Sequence, residues 1–501
     1  MESLIVLKDR LELFLLSHPR AIIQDFRTGT WSLTDSRISL EIEFGKLLLT
    51  LWTGERSMLR RISGVKEWSE DSVILMVRDG SHKERELYID ADHVAAARPQ
   101  LRAARRQFAH KLACLLQARF PGLLVEKLLT SKNLAQSFSE HYARGVALMR
   151  SSRWGLFGVN RSESPATVDA MLSYALIWLN YLQAQSARAR LDGMVLVVPK
   201  DSGIFLTPRM GLIRSPGIHI ELLEADDEME NLDTACSKDY GNLESRLSKV
   251  DRVPLPAEEI PWDALPPCLK RAESEIEIVH RAASRFFSIR YHGLEFARLT
   301  EERVPKISYG VSPIESSYDR SKEPELERLW KELQQFRRPD CPDPHHPYFR
   351  LQAERWLESL VLRDIRKISN DLNPAFVYPQ VPAFSGLDRA VIDILSVTRS
   401  HRLAVIELKI SEDIQLPLQA LDYWRRVKWH FERGDFERQG YFPNLSLSSE
   451  DPVLFLVCPA FRFHSTTEGI LKYFPKSLEI TKVGINEGWR NELKVLYRKH
   501  V

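Results

Sequence analysis

The segment Leu403-Ala404-Val405-Ile406-Glu407-Leu408-Lys409 constrains this chain more than any other. It is apolar and β-branched apart from two charges, and so reads as a buried strand. Residues two apart on a strand point to the same face, so Glu407 and Lys409 project together near its end. Burying a carboxylate or an ammonium is costly unless it is paired or bound to a metal. The two charges are therefore either a structural ion pair or part of a site.

The preceding segment favours a site. Val391 to Val397 is a second apolar strand carrying a single acid, Asp393, and Thr398 to Arg402 can turn the chain between the two. Pairing the strands brings Asp393 near Glu407. Adjacent carboxylates repel, and a hard divalent cation with oxygen ligands relieves the repulsion. Lys409 beside them can stabilise a phosphate oxygen or orient an attacking water.

Two helices frame this pair. From about Leu416 a helix presents Gln419 and Tyr423, four apart and on one face. It continues as Trp424-Arg425-Arg426-Val427-Lys428-Trp429-His430, a basic run interleaved with aromatics. Arg425, Arg426 and Lys428 are candidate phosphate contacts, with aromatic faces available to stack on bases; a solvated amphipathic helix is the competing reading. Upstream, Leu351 to Ile368 reads as a helix buried along Leu357, Leu360, Val361, Ile365 and Ile368. Glu354 lies near that face and Glu358 on its flank. Either can add a carboxylate on the metal side. Glu354 is preferred, and Glu358 reads equally well as a solvated acid.

An acidic helix, then Ile392-Asp393, then Glu407-Leu408-Lys409, then Gln419-x-x-x-Tyr423 resembles the PD-(D/E)XK nuclease superfamily. The Gln-x-x-x-Tyr element is most similar to its RecB-type and restriction-endonuclease-like branches. The resemblance covers residues 349 to 485, under a third of the chain. It implies an α/β core with a mixed sheet and dependence on Mg²⁺ or Mn²⁺. It also implies Asp393 and Glu407 as metal ligands and Lys409 as a catalytic group, to which the helix adds Glu354 as a further metal-side carboxylate. Gln419 and Tyr423 would support the site or touch nucleic acid. No proline directly precedes Asp393, where the superfamily commonly has one. The expected activity is metal-dependent hydrolysis of DNA, in repair, restriction or defence against foreign DNA. A catalytically silent nucleic-acid-binding or scaffold protein and an RNA nuclease are the alternatives.

Residues 99 to 224 repeat the order of elements of this domain. A basic helix at 99 to 119 stands for 351 to 368, and Met194 to Val198 with Ile218 to Leu223 stand for Val453 to Val457 with Leu478 to Val483. Laid on one another, Ala147 or Leu148 falls on Asp393, Gly158 on Glu407, Asn160 on Lys409 and Ala170 on Gln419. The expectation is an inactive copy that packs against the active domain or helps hold DNA; chance similarity of two α/β segments is the alternative.

The 501 residues are too many for one core, and about three or four domains are expected. Residues 1–98 read as a small β-rich domain, with Arg37 to Trp52 alternating about a turn at Phe44-Gly45-Lys46. Val73 to Val77 and Arg85 to Ile89 are further strands, joined through Asp79-Gly80. Residues 225–342 read as an irregular connection followed by a mixed α/β segment, with helix and strand over Glu273 to Ala297. Pro339, Pro342, Pro344 and Pro347 cannot continue a helix, and set the start of the last domain near 343. No apolar run approaches the roughly 20 residues of a membrane span, and no signal pattern opens the chain. Five cysteines without a CxxC argue against a disulfide framework or zinc cage, and a cytoplasmic location is expected. Cys341 with His345 and His346 reads as part of a proline-rich loop rather than a metal site. The net charge of +2 does not announce a nucleic-acid binder, so that role rests on local groups. An oligomeric state is left open.

Overall fold

The computed structural model describes the chain apart from residues 1–3, 19–20, 26–27, 34–35, 44–45, 53–56, 70–71, 79–83, 91–92, 150–151, 186–190, 236–244, 256, 282–284, 303–304, 312–315 and 386–390. Among the described residues it is mixed α/β, with 11 α-helices and four sheets. No described helix is long and apolar enough to cross a membrane.

The first sheet has seven antiparallel strands, with the helix Leu4–Ser17 against it. Alternation explains its core: in Ser72–Arg78, Val73, Leu75 and Val77 are fully buried while their neighbours are half exposed. Arg37–Glu43 pairs with Lys46–Trp52, from Arg37 opposite Trp52 to Glu43 opposite Lys46. The expected turn residues Phe44, Gly45, Asp79 and Gly80 lie outside the described residues.

The next sheet runs in chain order through Leu123–Leu129, Tyr142–Met149, Ser152–Val159, Leu191–Pro199, His219–Ala225 and Leu232–Thr234. Its neighbours are successively antiparallel, antiparallel, parallel, parallel and antiparallel. The C-terminal sheet runs through Leu372–Ser385, Val391–Thr398, Leu403–Leu408, Val453–Pro459, Ile480–Ile485 and Val495–His500. Its neighbours have the same five senses in the same order. A parallel neighbour requires a crossover. The first crossover in each sheet is a long helix, Pro165–Gln185 in one and Leu416–Glu432 in the other. The helix before the sheet, His93–Arg119 or Ala353–Arg363, covers the opposite face.

Register corrects the residue matches expected between the two sheets. Phe157 pairs with Leu196, three residues before Pro199; Glu407 pairs with Leu456, three residues before Pro459. Phe157 and Val159 belong to the core under the crossover helix, on the face that Glu407 shares with Leu403 and Val405. Gly158 faces the other way: a Cβ there would lie 2.5 Å from Leu112 on the preceding helix. Phe157, not Gly158, thus stands where Glu407 does, and Val159, not Asn160, where Lys409 does. Phe157 faces Arg144 across the hairpin. Ile394 faces Ile406, and one step further puts Asp393 opposite Glu407. Arg144 therefore takes the place of Asp393.

The two sheets do not meet as separate bodies. Leu172, Leu176 and Leu179 of one crossover helix lie in the same core cluster as Leu418, Leu421 and Val427 of the other. Ser173 donates to Gln415 Oε1 at 2.7 Å, Asn180 Nδ2 donates to the Gly469 carbonyl at 2.8 Å, and the Tyr473 hydroxyl donates to Asn180 Oδ1 at 3.0 Å.

Between the two sheets in sequence, a five-stranded antiparallel meander replaces the mixed segment expected near 273–297: Glu277–Arg281, Phe286–Tyr291, Leu294–Thr300, Lys306–Tyr309 and Ser316–Ser317. Its apolar face packs on the helix Glu323–Phe336 through Phe296, Leu329 and Leu333. Ser245–Leu247, upstream of the expected domain start, adds an edge strand to the C-terminal sheet. The proline-rich segment does end a helix at Phe336, but it is tied down. Arg337, 0% exposed, donates to the carbonyls of His292 at 2.8 Å and of Tyr348 and Leu351 at 2.7 Å. The helix expected over Leu351 to Ile368 stops at Arg363, because Asp364 is extended and its carboxylate caps a 3-10 turn at Arg366.

Candidate active site

The hairpin of Val391–Thr398 with Leu403–Leu408 brings the expected acids together. Asp393 Oδ2 accepts from the Leu408 amide at 3.0 Å. Glu407 is 1% exposed; Lys409 Nζ donates to its Oε1 at 3.0 Å, and its Oε2 is buried without a hydrogen bond. Burial first, then the nearby charges of Asp393 and Glu354, push the Glu407 carboxyl well above the usual range, against Lys409. Burial alone would lower the Lys409 pKa, yet Glu407, Glu354 and Asp393 outweigh it and hold the ammonium well above its ordinary value. The strand supplies these groups because its alternation turns Glu407 towards the crossover helix while Leu408 packs on the preceding helix.

Both acids of the helix Ala353–Arg363 contribute, in different ways. Glu354 is raised by burial, with Lys409 and Asp393 its main charged neighbours. Glu358 is not a solvated acid. It is 2% exposed, accepts from Arg355 Nη1 at 2.7 Å and from Gln380 Nε2 at 2.7 Å, and burial pushes it up to about 7. Gln380 also reaches Asp393 Oδ1 at 3.4 Å. It went unread in the sequence, where a neutral amide between two prolines gives no signal of a site.

Gln419 and Tyr423 meet as their spacing predicts, with the Gln419 amide donating to the Tyr423 hydroxyl at 2.9 Å. Burial, then Glu407, raises the phenol pKa and keeps the hydroxyl neutral. The basic run behaves otherwise. Arg425 and Arg426 are 7% and 3% exposed, and both bind Asp422, at 2.6 and 2.8 Å. They are internal ties, not exposed phosphate contacts: Arg426 also donates to the Ala383 carbonyl of its own sheet, and the short helix Thr207–Met210 packs against the helix that carries both. Lys428 is half-buried against Asp451 and Glu432.

The donor set suits a hard cation: Asp393, Glu407 and Glu354 face the one ammonium of Lys409, and buried Glu407 Oε2 accepts no hydrogen bond, whereas Glu358 is matched by Arg355. Among the described residues, no three His, Cys, Asp or Glu side chains already converge as a metal cage; Lys409 occupies Glu407 Oε1 instead. Neither a protein-family model nor a curated protein matches this chain.

Proposed function

We propose that the C-terminal domain is a metal-dependent nuclease of the PD-(D/E)XK type that hydrolyses DNA phosphodiester bonds. The observation that carries this is the buried Glu407 carboxylate, one oxygen unpartnered, beside Lys409 and Asp393. Asp393, Glu407 and Glu354 would hold Mg²⁺ or Mn²⁺. Such an ion, when bound, supplies Lewis-acid stabilisation of phosphoryl oxygens and acidifies a water. Lys409, kept charged by the acids around it, offers N–H donors to a developing phosphoryl charge. Gln419 orients the neutral Tyr423 hydroxyl beside Glu407. Gln380 keeps Glu358 and Asp393 together. The middle sheet, with Arg144, Phe157 and Val159 in the corresponding places, is read as a non-catalytic copy.

The test is cleavage of labelled linear, circular and single-stranded DNA, and of RNA, with Mg²⁺, Mn²⁺ or EDTA. Metal-dependent cleavage by wild type and none by Lys409→Ala supports the proposal. A wild type that binds DNA but cuts no substrate with either metal overturns it. A silent binding protein is the second reading, favoured by the 3.0 Å Lys409–Glu407 pair, which neutralises one of the ligands.

A further inference from the structure

The middle sheet has replaced an acid with a base at the position of Asp393. Arg144 is 3% exposed, and among the described residues no carboxylate pairs with it. Its guanidinium donates to the carbonyls of Ser131 and Ser139, leaving Nε buried and without a partner. Two carbonyls satisfy part of this guanidinium but do not neutralise its charge, and a buried charge without a counter-ion is expensive, so the arrangement favours an anion.

Arg144 opens on a cavity of about 550 Å³ whose other walls include Lys132, Phe138, Trp178 and Tyr181. This volume falls in the range of roughly 300–1,000 Å³ of small-molecule sites. Lys132 is exposed at the rim and forms no ion pair among the described residues. Trp178 and Tyr181 are stacked, with centroids 5.2 Å apart and planes 18° from parallel, and Phe138 meets both rings edge-on. The Arg144 guanidinium lies 4.7 Å from the Phe138 centroid. Trp178 is 6% exposed and stacks on the partly exposed Tyr181, so Tyr181 is the aromatic surface beside the two cations, and the set matches an anionic ligand that carries a planar ring.

We propose that this cavity binds a nucleoside phosphate, with the phosphate on Arg144 and Lys132 and the base against Tyr181. The site does not depend on the nuclease reading, since it lies in the sheet that lacks the acids. The nucleoside phosphate can be a free mononucleotide or the 5′-phosphorylated end of a strand.

The full-length protein in EDTA, where cleavage is off, is titrated calorimetrically with dAMP, inorganic phosphate, and single-stranded pentanucleotides bearing a 5′-phosphate or a 5′-hydroxyl. Binding of dAMP and the 5′-phosphorylated strand supports a diffusible nucleotide; binding of the 5′-phosphorylated strand alone supports a strand end. In either case Lys132→Ala and Tyr181→Ala each weaken binding by about tenfold. Arg144→Gln abolishes it, with thermal melting as the control for folding. The proposal is overturned if neither dAMP nor the 5′-phosphorylated strand binds. It is also overturned if inorganic phosphate binds as tightly as dAMP, or if Lys132→Ala and Tyr181→Ala bind like wild type.

Discussion

Gln380 donates to Glu358 at 2.7 Å from a backbone with φ of 55°, a left-handed conformation in the middle of a long strand. The same amide nitrogen reaches Asp393. A neutral donor between two acids is an orienting device, since it favours both carboxylates without adding charge. Gln380→Met keeps the length and removes the donor. It should lower metal-dependent cleavage about tenfold and destabilise the protein by about 1–3 kcal/mol. Cleavage rates and urea denaturation check the two effects separately.

Glu407→Gln keeps the shape of this buried acid and removes its charge. Metal-dependent cleavage should fall by at least about a hundredfold. Stability without metal should hold or rise, because the variant no longer buries a carboxylate with an unpartnered oxygen. A melting temperature well below wild type would show instead that the Lys409 pair supports the fold.

Arg425, Arg426 and Asp422 form a buried set rather than a nucleic-acid surface. Arg426→Ala leaves Asp422 paired with Arg425 but takes the donor from the buried Ala383 carbonyl, and should cost about 1–3 kcal/mol. The salt dependence of DNA binding should not change, because no phosphate contact is lost. A shallower slope of log affinity against log salt in a folded variant would return this residue to the DNA.

Arg337 ties the turn at His292 to the stretch from Tyr348 to Leu351 through their backbone carbonyls. Arg337→Ala leaves those acceptors buried and should cost about 3–5 kcal/mol. Arg337→Lys should recover only part, since an ammonium lacks the planar fork. Chemical denaturation of both variants provides the comparison.

His292 is lowered by burial to about 3, packed against the rings of Trp356 and Tyr291. The unfolded chain takes up this proton below about 6.5 and the folded protein only near 3. The group therefore costs stability as pH falls through that window. His292→Asn tolerates the left-handed turn at this position. The difference in stability between wild type and variant should thus shrink or reverse between pH 7 and pH 4, read from denaturation at each pH. A difference that does not move with pH would contradict a buried neutral imidazole.

The pairing of charges on one face of a buried strand was legible because period-two alternation is local. So was the contact of Gln419 with Tyr423, which helical spacing alone determines. What surrounds those elements was not legible. The run from Trp424 to His430 looks like a surface in isolation, and only the tertiary packing, with Ala383 far away in sequence, shows that Arg425 and Arg426 lie inside. The depth of Glu358 depends on Gln380, which is distant in sequence and held by an unusual backbone angle. The match of the two sheets followed element order correctly in outline, but missed the register, because one residue of drift moves a strand position to the opposite face.

The core shared by the two sheets has a consequence for how such a protein can change. Subunits of a homodimer inherit every substitution twice, so a residue essential to one site is held in both. Here the halves are encoded separately yet cannot separate on dilution, since Leu176 and Leu421 lie in one apolar cluster. One half can therefore carry Arg144 at the position where the other carries Asp393.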